Sequence, residues 1–85
     1  MSASYLLAID AGTGSCRAVL FTEKGEQAAA SLREWTHREP PDAPGGQDFD
    51  VDANWLLIAA CVRDALAAAG ATGDSVRAVA ATTMR

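Results

Sequence analysis

The chain has 85 residues and a formal net charge of −4, with a sequence pI of about 4.6. This negative balance argues against a surface that binds nucleic acid or an anionic membrane. Hydrophobic residues make up 49% of the chain, but alanine supplies much of that share, so the expected core is small. The first apolar run lacks a basic leader and is interrupted at Asp10, and no apolar stretch is long enough to span a bilayer.

Two cysteines, Cys16 and Cys61, have neither a CxxC spacing nor neighbouring histidines. This pattern does not favour a zinc site. We interpret both as reduced, buried thiols, and the protein is predicted to be cytoplasmic.

Residues 5–21 contain two apolar runs of strand length around a short polar turn, which predicts a β-hairpin. The first run, residues 5–9, is apolar at nearly every position, as is typical of a strand covered on both faces. A tight turn at residues 23–26, with a positive φ at Gly25, leads to a third strand at about residues 27–36. The small and polar residues of this third strand indicate an outer position, so a meander of three strands is expected.

Residues 37–47 are rich in proline and glycine and are predicted to form a loop. A helix is predicted at residues 52–69, with Asp50 or Asp52 as N-cap and Gly70 as its C-terminal stop. Five apolar residues recur at helical spacing and form the predicted buried face: Trp55, Ala59, Val62, Leu66 and Ala69.

A fourth strand is predicted at residues 76–82, which completes an α/β fold of order βββαβ. A helix between two strands is a crossover connection, so the fourth strand can lie parallel to a strand of the meander. Its natural neighbour is the first strand, which is the most apolar. Residues 82–85 would then emerge beside Asp10, at the edge where open α/β sheets bind ligands. Arg85 is therefore a candidate contact for an oxygen-rich substrate or a phosphate, and a solvated terminal arginine is the alternative.

The turn of the hairpin has the composition of a phosphate-binding loop. Gly12 and Gly14 would let the backbone adopt a positive φ and approach an anion closely, while Thr13 and Ser15 add hydroxyl donors. Asp10 would repel phosphates unless a divalent cation lies between them. The turn therefore predicts a site for a magnesium nucleotide.

Two familiar glycine loops do not fit this turn. A P-loop requires a lysine after its glycines and none is present, while a dinucleotide fingerprint requires a third glycine or alanine where Arg17 stands. The run that ends at Phe21 is also too short for the helix of a dinucleotide-binding fold. An ordinary hairpin turn that binds nothing remains the alternative.

Only one helix is predicted, so the second face of the sheet would lie bare. A strand covered on both faces needs more chain than this. We therefore expect these 85 residues to be an incomplete domain at the beginning of a longer protein.

Residues 8–21 resemble the first phosphate motif of the FGGY carbohydrate kinases, which belong to the superfamily of sugar kinases, Hsp70 and actin. The resemblance implies a ribonuclease-H-like domain that opens with the order βββαβ. Further stretches are similar to one branch of the family, the autoinducer-2 kinases: residues 33–37, 49–50, 54–55 and 83–85.

The resemblance also implies roles for individual residues. Asp10 would hold Mg²⁺ through water, and Arg17 would neutralise charge near the transferred phosphoryl group. The β- and γ-phosphates of ATP would be bound by Gly12, Thr13, Gly14 and Ser15. Arg85 matches a family position that contacts substrate hydroxyls. Trp35 and Trp55 are interpreted as packing residues.

The implied reaction is transfer of the γ-phosphoryl group of ATP to a hydroxyl of a small carbohydrate-like substrate, here the precursor of the quorum-sensing signal autoinducer-2. The general base of such kinases is an aspartate in a later segment, so this chain is expected to contain no catalytic base and to be inactive alone. Two alternatives remain: a kinase for another polyol or ketose, and a non-catalytic nucleotide-binding module of the actin/Hsp70 type.

Overall fold

A computed structural model describes residues 4–12, 14–34 and 51–83 of the chain. Its elements are β1 (Tyr5–Ala11), β2 (Ser15–Thr22), β3 (Gln27–Glu34), α1 (Val51–Ala69) and β4 (Val76–Thr83). A short 3-10 turn at Gly73–Ser75, which the sequence analysis does not foresee, precedes β4. The predicted loop at residues 37–47 and the predicted end of the third strand at residues 35–36 lie outside the described residues.

The four strands form one mixed sheet in the order β3-β2-β1-β4. β1 pairs with β2 and β2 with β3 in antiparallel fashion, whereas β1 and β4 are parallel. The predicted hairpin, the meander and the parallel partnership of the first and last strands are therefore confirmed. The carboxyl ends of β1 and β4 consequently lie side by side.

β1 extends two residues beyond the predicted Ile9, so that Asp10 lies inside the strand. Side chains alternate along a strand. Leu7 is buried in the core cluster, with Ile9 packed against it, whereas Leu6 and Asp10 belong to the opposite face and are exposed. The described part of the chain thus covers only one face of β1, although the apolar run predicts cover on both.

α1 packs across β2 and β3, and the predicted stripe is confirmed at Val62, Leu66 and Ala69 but not at Trp55. Trp55 is 64% exposed, so its interpretation as a packing residue of this stripe is wrong. The residues that face the sheet are fully or partly buried and recur at helical spacing: Leu57, Ile58, Cys61, Val62, Ala65, Leu66 and Ala69. The helix is apolar over much of its circumference, so spacing alone does not define which stripe meets the sheet.

The predicted C-terminal end of α1 is confirmed, whereas one of its two N-cap candidates is not. Asp52 lies within the first helical turn and is therefore not the N-cap, while Asp50 lies outside the described residues. Gly70 ends the helix as expected, with a φ of 65°. The amide of Ala71 donates to the carbonyl of Leu66 at 2.9 Å, and the amide of Gly70 donates to that of Ala67 at 3.1 Å. This pair of bonds is a Schellman motif, in which glycine adopts the left-handed conformation without strain.

Two contacts anchor the helix to the sheet. The buried Cys61 thiol donates to the Ser31 carbonyl of β3, with a sulfur–oxygen distance of 3.0 Å. At the surface, Arg33 forms an ion pair with Asp64, and its Nε lies 3.2 Å from Oδ2. The predicted buried, reduced state of both cysteines is confirmed, since Cys16 and Cys61 are each 1% exposed and unbridged.

Candidate functional site

The turn between β1 and β2 is closed by its own backbone. The amide of Gly12 donates to the carbonyl of Ser15 at 2.8 Å, which brings the ends of the two strands together. The predicted positive φ at Gly12 and Gly14 is wrong, because among the described residues positive φ occurs only at Gly25 and Gly70. The bond from Gly12 therefore closes the turn without a positive φ at either glycine.

The space around Gly12 and Gly14 is more informative about why glycine stands there than their backbone conformation. A Cβ atom added at Gly14 would have no neighbouring atom of the described chain within 4 Å, and one at Gly12 would lie 3.6 Å from the Ser15 carbonyl, an ordinary contact. Neither φ nor internal packing therefore requires glycine here. The bare backbone leaves room for a group from outside the described chain to come close to the turn.

Asp10 stands beside this turn, on the sheet face opposite α1. The strand register places it next to Arg17 of β2 on one side and Thr82 of β4 on the other, so the three side chains share that face. The hydroxyl of Thr82 donates to Oδ1 of Asp10 at 3.0 Å. The fold therefore brings together one carboxylate, one guanidinium and one hydroxyl at the edge where β1 and β4 end.

The remaining predicted site residues are distributed as follows. Ser15 is the first residue of β2 and is half-buried, and Arg17 is exposed two residues further along the strand. Thr13 and Arg85 lie outside the described residues. The structure thus places Asp10, the two glycines, Ser15 and Arg17 within one short hairpin.

The donor set suits a hydrated divalent cation that is shared with phosphate. Within residues 4–12, 14–34 and 51–83 there is no group of three or more His, Cys, Asp or Glu side chains that could enclose a metal ion. Asp10 is a single exposed carboxylate, which is the donor that Mg²⁺ uses when it keeps several waters and takes its other ligands from phosphate oxygens. The residues therefore fit a Mg–phosphate group better than a metal site built by the protein alone.

Thr82 is a residue of this site to which no sequence pattern assigns a part. The predicted parallel pairing of β1 and β4 already places residues 82–85 near Asp10. The register decides which of them faces the carboxylate, and a register follows from strand packing rather than from composition.

Taken together, the fold and the turn define a mixed α/β domain with a candidate anion-binding hairpin at the carboxyl end of β1. In the part of the chain that the structure describes, no helix combines the length and the apolar character needed to cross a membrane.

Comparison with known proteins identifies the family. The profile described as the FGGY family of carbohydrate kinases, N-terminal domain, matches residues 5–85. The chain belongs to this family, and the predicted family resemblance is confirmed.

Similar curated proteins include the autoinducer-2 kinases of Yersinia enterocolitica serotype O:8 / biotype 1B and of Yersinia pseudotuberculosis serotype O:3. Another is the autoinducer-2 kinase of Yersinia pestis strain Pestoides F. Each is 50% identical to the chain over 84 residues, which is 99% of this chain but only 16% of the relative. The chain therefore spans about one sixth of the length of these relatives.

Proposed function

We propose that this chain is the opening segment of a carbohydrate kinase and supplies its half-site for the β- and γ-phosphates of ATP and for Mg²⁺. The observation that carries the proposal is the family match, which extends over residues 5–85 and so includes the whole hairpin. The open space at Gly14 and the exposed carboxylate of Asp10 support it. We also propose that the complete domain has the ribonuclease-H-like fold of the sugar kinase, Hsp70 and actin superfamily.

Each residue of the hairpin has a role in this proposal. The backbone amides of Thr13 and Gly14, with the Ser15 hydroxyl, would bind phosphate oxygens, because free amides in a tight turn form an anion-binding concavity. Gly12, whose amide closes the turn, would contribute by leaving room for the phosphates to come close. Asp10 would hold waters of the metal ion and so orient it toward the phosphates. When bound, Mg²⁺ supplies positive charge that offsets the charge of the transferred phosphoryl group.

Arg17 would add a second positive charge on the same sheet face as Asp10. Phosphoryl transfer depends mainly on positioning and on electrostatic stabilisation of the phosphate oxygens, which a guanidinium provides without losing its proton. Arg85 would contact hydroxyls of the substrate. The general base is proposed to be an aspartate of the full-length protein beyond Arg85.

The acceptor that we propose is the precursor of autoinducer-2, because curated relatives with 50% identity carry the name autoinducer-2 kinase. We further propose a reducing, cytoplasmic location. Both cysteines are free, and thiols stay free in compartments that keep glutathione and thioredoxin reduced.

The test is Mg-ATP consumption by the full-length protein, with the autoinducer-2 precursor set against a panel of polyols and ketoses. Turnover with the precursor alone would support both the chemistry and the substrate. Turnover with a polyol or ketose instead would keep the phosphate half-site and discard the signalling role. ATP binding without turnover of any acceptor would favour a nucleotide-binding module over a kinase.

A further inference from the structure

We propose that Thr82 is a positioning residue that holds the Asp10 carboxylate in the orientation needed for Mg²⁺. This inference rests on the proposed function, since it assigns Thr82 a task only if Asp10 serves the metal. The hydroxyl of Thr82 donates to Oδ1 of Asp10 at 3.0 Å, across 72 positions of sequence. Among the described residues, no other side chain forms a hydrogen bond with this carboxylate.

The parallel register makes the contact direct. Asp10 and Thr82 are register partners on β1 and β4, so their side chains rise from the same face of the sheet. The residues that precede Thr82 on this face of β4 are Ala78 and Ala80, whose side chains cannot form hydrogen bonds. On this face, β4 thus carries a hydroxyl at the position next to the Asp10 carboxylate.

Threonine suits this task for two reasons. Its side chain is β-branched and stiff about χ1, so a threonine on a paired strand offers its hydroxyl in a narrow range of directions. A carboxylate has about four lone-pair sites on its two oxygens. A single donor to Oδ1 therefore fixes the rotamer of Asp10 and leaves Oδ2 able to accept from metal-bound water.

The contact has little to do with the stability of the fold. Both side chains are exposed, and neither belongs to the core cluster between α1 and the sheet. At the surface, the hydroxyl and the carboxylate exchange water partners for each other, so the bond adds little to stability. Its expected consequence is therefore an ordered carboxylate.

The test compares Thr82→Val, Thr82→Ala and Thr82→Ser in the full-length protein. The affinity for ADP is measured by titration calorimetry, once with saturating Mg²⁺ and once with EDTA. Thr22→Val is the matched control, because the Thr22 hydroxyl also forms a hydrogen bond, here accepting from the amide of Glu26, but lies at the far end of the hairpin.

We expect Thr82→Val and Thr82→Ala to reduce the gain in ADP affinity that Mg²⁺ provides by about three-fold, near the lower end of the net contribution of one hydrogen bond. The affinity for ADP in EDTA should not change. Thr82→Ser should keep the gain in ADP affinity that Mg²⁺ provides, and so should Thr22→Val. If valine prevents folding, the alanine variant carries the same comparison.

Equal weakening with and without Mg²⁺ would show a structural role and overturn the inference. It would also be overturned if Asp10→Asn removes the gain from Mg²⁺ while both Thr82 variants retain it, and in that case the proposed metal site would stand. A wild-type protein that gains no ADP affinity from Mg²⁺ would instead contradict the proposed half-site itself, together with this inference.

Discussion

The two turns at the ends of β2 contain glycine for different reasons. In the turn before β3, the amide of Gly25 donates to the carbonyl of Thr22 at 2.9 Å, and Gly25 has a φ of 87°. This is the type of hairpin in which a left-handed residue ends the turn, and glycine adopts that conformation without strain. In the turn before β2, Gly12 and Gly14 have no positive φ and no crowded neighbour.

The comparison separates a glycine that serves the fold from glycines that the fold does not require. At Gly25, the backbone conformation itself accounts for the residue. At Gly14, the described chain offers no such reason, and the proposed phosphate site supplies one in a group that approaches from outside. Substitutions in the two turns should therefore affect different properties.

The largest effect is expected beside the first turn, at Asp10. Asp10→Asn keeps an oxygen that can accept from Thr82 but removes the charge, so phosphoryl transfer by the full-length protein should fall by at least about 100-fold. Because Asp10 is exposed, the free energy of unfolding should change by less than about 0.5 kcal/mol. The measurements are steady-state kinetics and thermal denaturation; a variant that only loses stability would contradict the metal-site role.

Gly14→Ala should have the next largest effect, and only on function. The added methyl group meets no atom of the described chain, so stability should be unaffected, but it occupies the space proposed for the phosphates and should raise the KM for ATP about ten-fold. Gly73→Ala is a matched control, since a Cβ there also meets nothing within 4 Å and the residue lies before β4. An unchanged KM in the Gly14 variant would favour an ordinary hairpin turn.

Gly25→Ala should show the reverse pattern. A side chain at a φ of 87° is strained, which should lower the free energy of unfolding by about 1 kcal/mol while kcat and KM of the folded enzyme stay the same. Gly25→Asn should lower the free energy of unfolding by less, because asparagine tolerates the left-handed region better than alanine. Urea denaturation measures the difference, and equal losses in the two variants would argue against backbone strain as its cause.

The smallest effect on stability is expected from Cys16, the first buried residue of β2 after the turn. Burial, followed by the neighbouring Cys61, raises the pKa of the Cys16 thiol. The folded chain therefore holds this proton at pH values where the unfolded chain releases it. The contribution to stability is full below about pH 8.5, the ordinary thiol value, and declines as the pH rises toward the raised value.

Denaturation curves between neutral and alkaline pH, for wild type and Cys16→Ala, measure this contribution. The wild type should lose stability more steeply above about pH 8.5 than the variant, because the variant lacks the titrating thiol. Parallel pH profiles for the two proteins would show that the thiol is not the source of the dependence.

Several features of the fold could be predicted because they depend on neighbouring residues alone. Apolar runs and turn residues predict the order of the elements, and Gly25 and Gly70 mark a turn and a helix end through their own φ preferences. The parallel pairing of β1 and β4 could also be predicted, since the helix after β3 is a crossover that lets β4 lie parallel to a strand of the meander, and β1 is the most apolar of these strands.

What only the tertiary structure decided depends on contacts between distant parts of the chain. A helix that is apolar on several sides can present more than one stripe, and packing on β2 and β3 selects the stripe with Cys61 and Ala65 while Trp55 stays exposed. The bond between Thr82 and Asp10 likewise requires one register of two strands. The sequence by itself determined the local conformations and their order, whereas the rotation of the helix and the register of the strands were decided by packing, which no local pattern encodes.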